Sequence, residues 1–250
     1  MIFTTNALVI KEQTIGESDK LLTLLTEEEG VIRAFASRAK NFKDKKSSAT
    51  SLLCYSRMGI YKGKDKYIIE SASVIDVFFD LRKDINALSL SQYFCEICAI
   101  LIPEACESKE YLKIALNSIS LISKQKKDLL QIKAITELRL LSASGYMPNL
   151  VACSFCSCYE NDAWFFFGNK GEIICEKCAK DSLGGIKINQ TVLTAMRYII
   201  YSEFKKIYSF NIPEKDILSL CFVAESYLVK VLGKVPMTLD FFKTICDKKY

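Results

Sequence analysis

The residues best placed to do chemistry are four cysteines. Cys153 and Cys156 form one Cys-x-x-Cys pair, Cys175 and Cys178 form a second, and 18 residues separate the pairs. Two thiolate pairs at this spacing can set four sulfurs tetrahedrally around one Zn²⁺. Each pair makes a tight knuckle, and the segment between them serves as a short hairpin. A zinc with four protein ligands is structural, whereas a catalytic zinc keeps one position open for water, so one structural ion is expected. A fifth thiol, Cys158, competes with Cys156 for the metal; the mirrored spacing of 153/156 and 175/178 favours Cys156. The zinc-deaminase pattern needs a proline before a Cys-x-x-Cys and an upstream ligand-x-Glu. No proline precedes Cys153 or Cys175.

The chain contains no histidine. That excludes Ser-His triads, Cys–His dyads and imidazole-ligated metals. Neither a Gly-x-x-x-x-Gly-Lys-[Ser/Thr] loop nor a Gly-x-Gly-x-x-Gly turn is present, so binding is expected rather than catalysis. The acidic Glu17, Asp19 and Glu27-Glu28-Glu29 fall at turns and strand ends, where solvated charge is the ordinary explanation.

The 250 residues can fold as one large domain or as two to three small ones. Half the residues are hydrophobic and a quarter charged, an ordinary globular composition. No apolar run is long enough to span a bilayer, and residues 1–20 lack the basic start and apolar stretch of a signal peptide. Eleven cysteines without an export signal are expected to stay reduced, in a cytosol. The net charge of +5 is modest but unevenly spread. Residues 38–66 hold Arg38, Lys40, Lys43, Lys45, Lys46, Arg57, Lys62, Lys64 and Lys66 against only Asp44 and Asp65.

These residues need elements to position them. Short strand-like runs fill the N-terminal third: 7–10, 21–25, 31–35, 52–61, 67–69 and 74–79, with turn signals between them. The basic stretch 38–48 has no apolar period and reads as a loop. Along 52–61 the even positions Leu52, Cys54, Met58 and Ile60 form a core face, and Tyr55, Arg57 and Tyr61 form an aromatic and basic outer face. This pattern suits a small closed β-barrel. After Asp80 the period becomes helical, over 85–101, 111–122, 129–141, 192–208 and 217–232. Gly145 and Pro148 close the third of these helices. The cysteine cluster is inserted between the third and fourth, where Trp164, Phe165, Phe166 and Phe167 would supply its small core.

Three stretches carry a resemblance to the bacterial recombination mediator family RecO. The first is Gly16-Glu17-Ser18-Asp19-Lys20-Leu21-Leu22-Thr23-Leu24-Leu25-Thr26, with Gly30 after it. The second is Leu138-Arg139-Leu140-Leu141 running to Gly145-Tyr146-Met147-Pro148-Asn149-Leu150. The third is the four-cysteine module. The resemblance spans nearly the whole chain, with one departure: Ala36-Ser37-Arg38-Ala39-Lys40 keeps the basic run after the third strand without the family's usual glycine.

The resemblance implies an α+β multidomain protein, with an OB-fold at 1–80 and a helical domain at 81–250 that carries the zinc module at about 150–182. It implies binding of single- and double-stranded DNA, annealing of complementary strands, and contact with RecR and with the single-stranded DNA-binding protein. RecF and RecA are further partners, the location is the nucleoid, and no membrane is involved. Arg33, Arg38, Lys40, Lys43, Lys45, Lys46, Tyr55, Arg57, Tyr61 and Lys62 are the candidate DNA contacts, through phosphate neutralisation and base stacking. Other readings remain open on the residues: an RNA-binding protein with an OB-fold and zinc knuckles, a thiol redox protein using one Cys-x-x-Cys, and a scaffold with a helical groove for a peptide.

Overall fold

The computed structural model describes residues 1–37, 39, 46–179 and 184–246. The chain forms two compact units, Met1–Gln125 and Lys126–Tyr250.

The first unit is built on β1 (Ile2–Ile15), β2 (Asp19–Thr26), β3 (Val31–Ala36), a short helix α1 (Lys46–Ala49), β4 (Tyr55–Lys62) and β5 (Tyr67–Asp76). The strands close into a barrel in the order β1-β2-β3-β5-β4, which is that of an OB-fold. Closure rests on the length of β1. Its N-terminal half pairs with β4, from Ile2↔Tyr61 to Leu8↔Tyr55, and its remainder pairs with β2. The β1–β2 register shifts between Val9 and Lys11, and the β4–β5 register between Gly59 and Ile60. Such bulges bend strands and let a small sheet curl. A short parallel contact, Ala34↔Tyr67 and Phe35↔Ile68, joins β3 to β5. Alternate residues fill the interior, among them Val9, Leu22, Leu24, Ile32, Ala34, Met58, Ile60 and Ile69.

Strand β5 runs unbroken through 70–73, where the sequence pattern suggests a gap. The polar residues there pair with β4 and face outward, and the bulge absorbs Glu70. The strand stops at Asp76, before Phe78 takes a left-handed conformation (φ 48°). At the other side β4 begins at Tyr55 rather than at 52, because Leu53 is also left-handed (φ 61°).

Two helices complete this unit, α2 (Ile85–Leu101) and α3 (Lys109–Ser123). Asp84 caps α2 by accepting from the N–H groups of Asn86 and Ala87. The loop between α2 and α3 is laced to the β2–β3 turn: Ala105 N–H donates to the Glu29 carbonyl at 2.9 Å, Ser108 N–H to the Glu27 carbonyl at 2.9 Å, and Ser108 Oγ to the Thr26 carbonyl at 2.7 Å. Gly30 (φ +69°) is required at that turn, since a Cβ there would lie 2.0 Å from the Pro103 carbonyl oxygen.

The second unit contains α4 (Leu129–Ala143), β6 (Ala163–Phe167), β7 (Glu172–Cys175), β8 (Ile186–Asn189), α5 (Gln190–Tyr201), α6 (Glu214–Leu232) and α7 (Met237–Ile245). Helix α4 is buried along most of its length, and its end is a Schellman turn: Tyr146 N–H donates to the Leu141 carbonyl and Gly145 N–H (φ +86°) to that of Ser142. Helix α5 ends at Tyr201, not at 208. Ser202 is extended, the chain turns back, and Tyr198 holds the returning segment through Ser209 Oγ (3.0 Å) and an edge-on contact with Phe210. The short α7, which the sequence pattern does not indicate, follows Pro236. Between the helices lies a buried charge network. Lys133 Nζ is 2.7 Å from Glu137 Oε1 and 2.9 Å from Glu225 Oε2, and Lys243 holds the other Glu225 oxygen at 2.7 Å.

Candidate metal centre and nucleic-acid face

The metal centre is assembled by a three-stranded sheet in the order β7-β6-β8. Register places Trp164 opposite Cys175 on one side and Ile188 on the other. Trp164 and Phe166 are fully buried and Phe167 nearly so, whereas Phe165 faces outward beneath Lys187. Three of the four aromatics thus form the module's core. The Trp164 indole N–H is satisfied by the Asn161 carbonyl (3.1 Å) and Gln190 Oε1 (2.8 Å).

Cys175 ends β7, and the second knuckle follows directly, with the N–H groups of Cys178 and Ala179 both donating to the Cys175 carbonyl at 3.0 Å. The first knuckle is folded by Ser157 N–H onto the Cys153 carbonyl and by Cys153 N–H onto the Cys158 carbonyl, each at 2.9 Å. Ser154 N–H then ties it to the Ile173 carbonyl of β7 at 3.0 Å. The result brings the sulfurs of Cys153, Cys156, Cys175 and Cys178 within 4.8 Å of one another. Cys156 and Cys175 are 3.7 Å apart. A tetrahedral site with Zn–S bonds of about 2.3 Å requires sulfur–sulfur edges of about 3.8 Å, so the donor set fits a thiophilic ion of that size. Cys158 stands beside the cluster, and the four converging sulfurs include that of Cys156.

The thiols differ in acidity. Burial raises Cys153, but the backbone N–H groups of Cys156, Cys175 and Phe155 outweigh it and hold the thiol at about 6. Cys156 is lowered by the backbone at Cys158 and by the Cys158 thiol. Cys178 is pushed up to about 12 by the side chains of Cys156 and Cys175 and by burial. Burial and the same two side chains push Cys158 up to about 12. Thiols competing for the same protons in this way are those that a cation would deprotonate together.

The sequence-predicted DNA contacts fall in three groups. Arg38, Lys40, Lys43 and Lys45 lie outside the described residues; Lys46, the first residue of α1, is half-buried. On the barrel, Arg33, Arg57 and Tyr61 are exposed and point outward, and Tyr55 is half-buried at the start of β4. Burial and the Glu27 carboxylate raise the Tyr55 phenol. Tyr55 and Tyr61 stand at opposite ends of β4, roughly 20 Å apart at the rise of a strand, so they do not share one subsite. Lys62 is already engaged: its ammonium is 2.8 Å from Glu29 and lies over the Tyr67 ring at 5.4 Å. Hydrogen bonds to Glu29 and Tyr67 raise its pKa. Strand alternation also puts Phe35 outward, two residues after Arg33 and 38% exposed. No described helix is long and apolar enough to cross a membrane.

Two sequence profiles match the chain: "Recombination protein O N terminal" over residues 1–78, and "Recombination protein O C terminal" over residues 82–239. A DNA repair protein RecO from Acetivibrio thermocellus is 34% identical over 241 residues, covering 96% of each chain. A second, from Clostridium novyi, is 30% identical over 257 residues, covering 100% of this chain and 96% of its own. A third, from Clostridium kluyveri, is 29% identical and covers 98% of this chain and 94% of its own.

Proposed function

The chain belongs to the RecO family, and from that membership we propose that it is a DNA-repair and recombination mediator. It binds single- and double-stranded DNA, anneals complementary strands coated by the single-stranded DNA-binding protein, and with RecR helps to load RecA. RecF is a further partner, and the work is done at the nucleoid, in the cytoplasm. The nucleic-acid-binding part is the OB-fold at 1–80. The helical part at 81–250 holds one structural Zn²⁺ on Cys153, Cys156, Cys175 and Cys178. The observation that carries this reading is a closed barrel with Arg33, Arg57 and Tyr61 exposed on its outside, in a chain whose sequence adds Arg38, Lys40, Lys43, Lys45 and Lys46 between β3 and β4.

Annealing makes and breaks no covalent bond. Two polyanions must approach, and each must be freed to pair. Arginine and lysine supply the first requirement by displacing condensed counterions, so binding falls steeply with salt. Aromatic contact with bases supplies a second, less salt-dependent contribution. The zinc, if bound as the donor set allows, supplies a crosslink between two knuckles and no open coordination site for chemistry. Its four ligands, the β6–β7 hairpin and the buried Trp164 do the rest, by fixing the shape of the module.

The test is strand annealing. Complementary labelled oligonucleotides coated with single-stranded DNA-binding protein are mixed with this protein, and pairing is followed at two salt concentrations. Acceleration that weakens with salt is expected. A folded, zinc-loaded protein that gives no acceleration would refute the annealing role, and preference for RNA in direct competition would redirect the reading to RNA.

A further inference from the structure

The barrel carries a continuous apolar row on its outer surface, visible only once the strand registers are known. Leu21 on β2 pairs opposite Phe35 on β3, Phe35 beside Ile68 on β5, Ile68 opposite Tyr61 on β4, and Tyr61 opposite Ile2 on β1. Each of the five is the outward neighbour of an inward residue: Leu22, Ala34, Ile69, Ile60 and Phe3 lie in or against the core. Phe35 at 38%, Tyr61 at 39% and Ile2 at 66% are exposed, and Leu21 and Ile68 are half-buried. Phe35 and Tyr61 are two strand spacings apart, roughly 10 Å, with Ile68 between them.

The surroundings carry both signs with a small cationic excess, and Glu29 already holds Lys62. Arg33 is exposed two residues before Phe35, on the same face of β3. Lys64 and Lys66 are exposed in the turn that follows β4, just beyond Tyr61. Asp65 and Glu70 are the acids nearest in sequence to that end of the row. An apolar row with Arg33 on one strand and Lys64 and Lys66 beyond another complements a ligand that has flat apolar faces and repeating negative charge. An unpaired nucleic-acid strand has both. A duplex keeps its base faces stacked inside and offers only phosphates and groove edges.

We infer that this row is a base-stacking platform for unpaired DNA, with Phe35 and Tyr61 as its two rings. The inference rests on the reading that the barrel binds DNA, and adds how the same face tells a single strand from a duplex. Arg57 lies four residues from Tyr61 on β4 and meets phosphate in either form. The stacking rings meet bases only when the strand is open, which biases the protein toward the strands that annealing consumes.

Anisotropy titrations with a labelled oligothymidine and with a duplex of equal length test this. Phe35→Ala and Tyr61→Ala are each expected to weaken oligothymidine binding by roughly 5- to 150-fold, the range that one base–aromatic stack carries. Duplex affinity and salt slope should stay as in the parent chain. Phe35→Tyr and Tyr61→Phe keep the rings and should bind normally. Phe35→Leu and Tyr61→Leu keep apolar bulk without a ring; they should lose oligothymidine affinity and serve where an alanine variant melts early. Equal losses on both DNAs, or no loss on either, would overturn the platform while leaving barrel binding intact. A parent chain that binds neither DNA would remove the barrel reading, and the platform with it. Variants that bind oligothymidine normally but lose self-association in sedimentation would assign the row to a second copy of the chain, and so overturn the inference.

Discussion

Replacing Cys175 with serine should release the metal and loosen one identifiable part of the molecule. Cys175 is 1% exposed, ends β7 and pairs with Trp164, the only tryptophan in the chain. Strand β7 has four residues and lies at the edge of its sheet, and a hairpin so short is marginal unless something crosslinks it. A metal on the four sulfurs would be that crosslink, joining the knuckle after β7 to the knuckle at Cys153. Strand β6 keeps β8 as a partner when β7 frays, so the loss is local at first. What is at stake is the cover over Trp164. An indole buries about 150–250 Å², and at about 25 cal/mol per Å² its exposure costs roughly 4–6 kcal/mol. A loss near 4 kcal/mol in a unit of this size lowers its melting midpoint by roughly 10–20 °C.

Three readings follow the change together: zinc per chain by colorimetric release, Trp164 emission, and thermal melting. The parent protein should hold one zinc. Cys175→Ser, or the parent after strong chelation, should hold close to none, with emission shifted to the red and an earlier melt. Cys158→Ser should keep its zinc, because Cys156 supplies the fourth sulfur, and Cys156→Ser should lose it. A metal-free protein with the parent's emission and midpoint would refute the structural role of the site.

Other perturbations reach other parts of the chain. Alanine at Lys43, Lys45 and Lys46 should weaken DNA binding and flatten its logarithmic salt slope by up to about 0.9 for each phosphate that is no longer neutralised; an unchanged slope in titrations from low to physiological salt would remove this segment from the binding site. In metal-free protein at pH 7, iodoacetamide should modify Cys156 first, since its thiol is lowered and exposed, while Cys95 and Cys98, raised by burial, resist. Because the thiolate is the nucleophile, acidification to pH 5 should slow the Cys156 reaction, and peptide mass mapping reads both results. Gly30→Ala puts a Cβ against the Pro103 carbonyl in a left-handed position, and a loss of more than about 2 kcal/mol in denaturant unfolding is expected. Lys133→Met withdraws the cation between Glu137 and Glu225 and should cost about 3–5 kcal/mol, whereas apolar replacement of all three together should recover most of it.

The cysteine cluster was legible because its information is local. Two Cys-x-x-Cys pairs fix two knuckles, and any hairpin that joins them brings four sulfurs together. The alternation of Met58 and Ile60 against Arg57 and Tyr61 likewise announced which side of β4 faces water. What escaped was set by long-range pairing. That Phe35, Ile68 and Tyr61 lie side by side on the outside is set only by the β3–β5 and β4–β5 registers. Lys62 reads as a free cation until the β2–β3 turn brings Glu29 to 2.8 Å from it. The length of α5 escaped for a related reason: residues 203–208 keep an apolar helical period, but Ser202 is extended and the chain folds back to bring Ser209 and Phe210 against Tyr198.

The same distinction bears on how the protein would act. A four-thiol site is coordinatively filled, so its contribution lies in shape. The barrel's contribution lies in which surface groups remain uncommitted after folding. Lys62 is occupied by Glu29, and Tyr55 is half withdrawn, so charge counted along the sequence overstates what the strand can offer to phosphate. Arg33 and Arg57 remain outward on the barrel, their strands also carry Phe35 and Tyr61, and Ile68 lies on the strand between. Charge alone would hold single strands and duplexes with similar preference and would resist letting the product go. A ring row that engages only open bases favours the substrate over the product, and lets a paired strand leave once its bases are buried in the duplex.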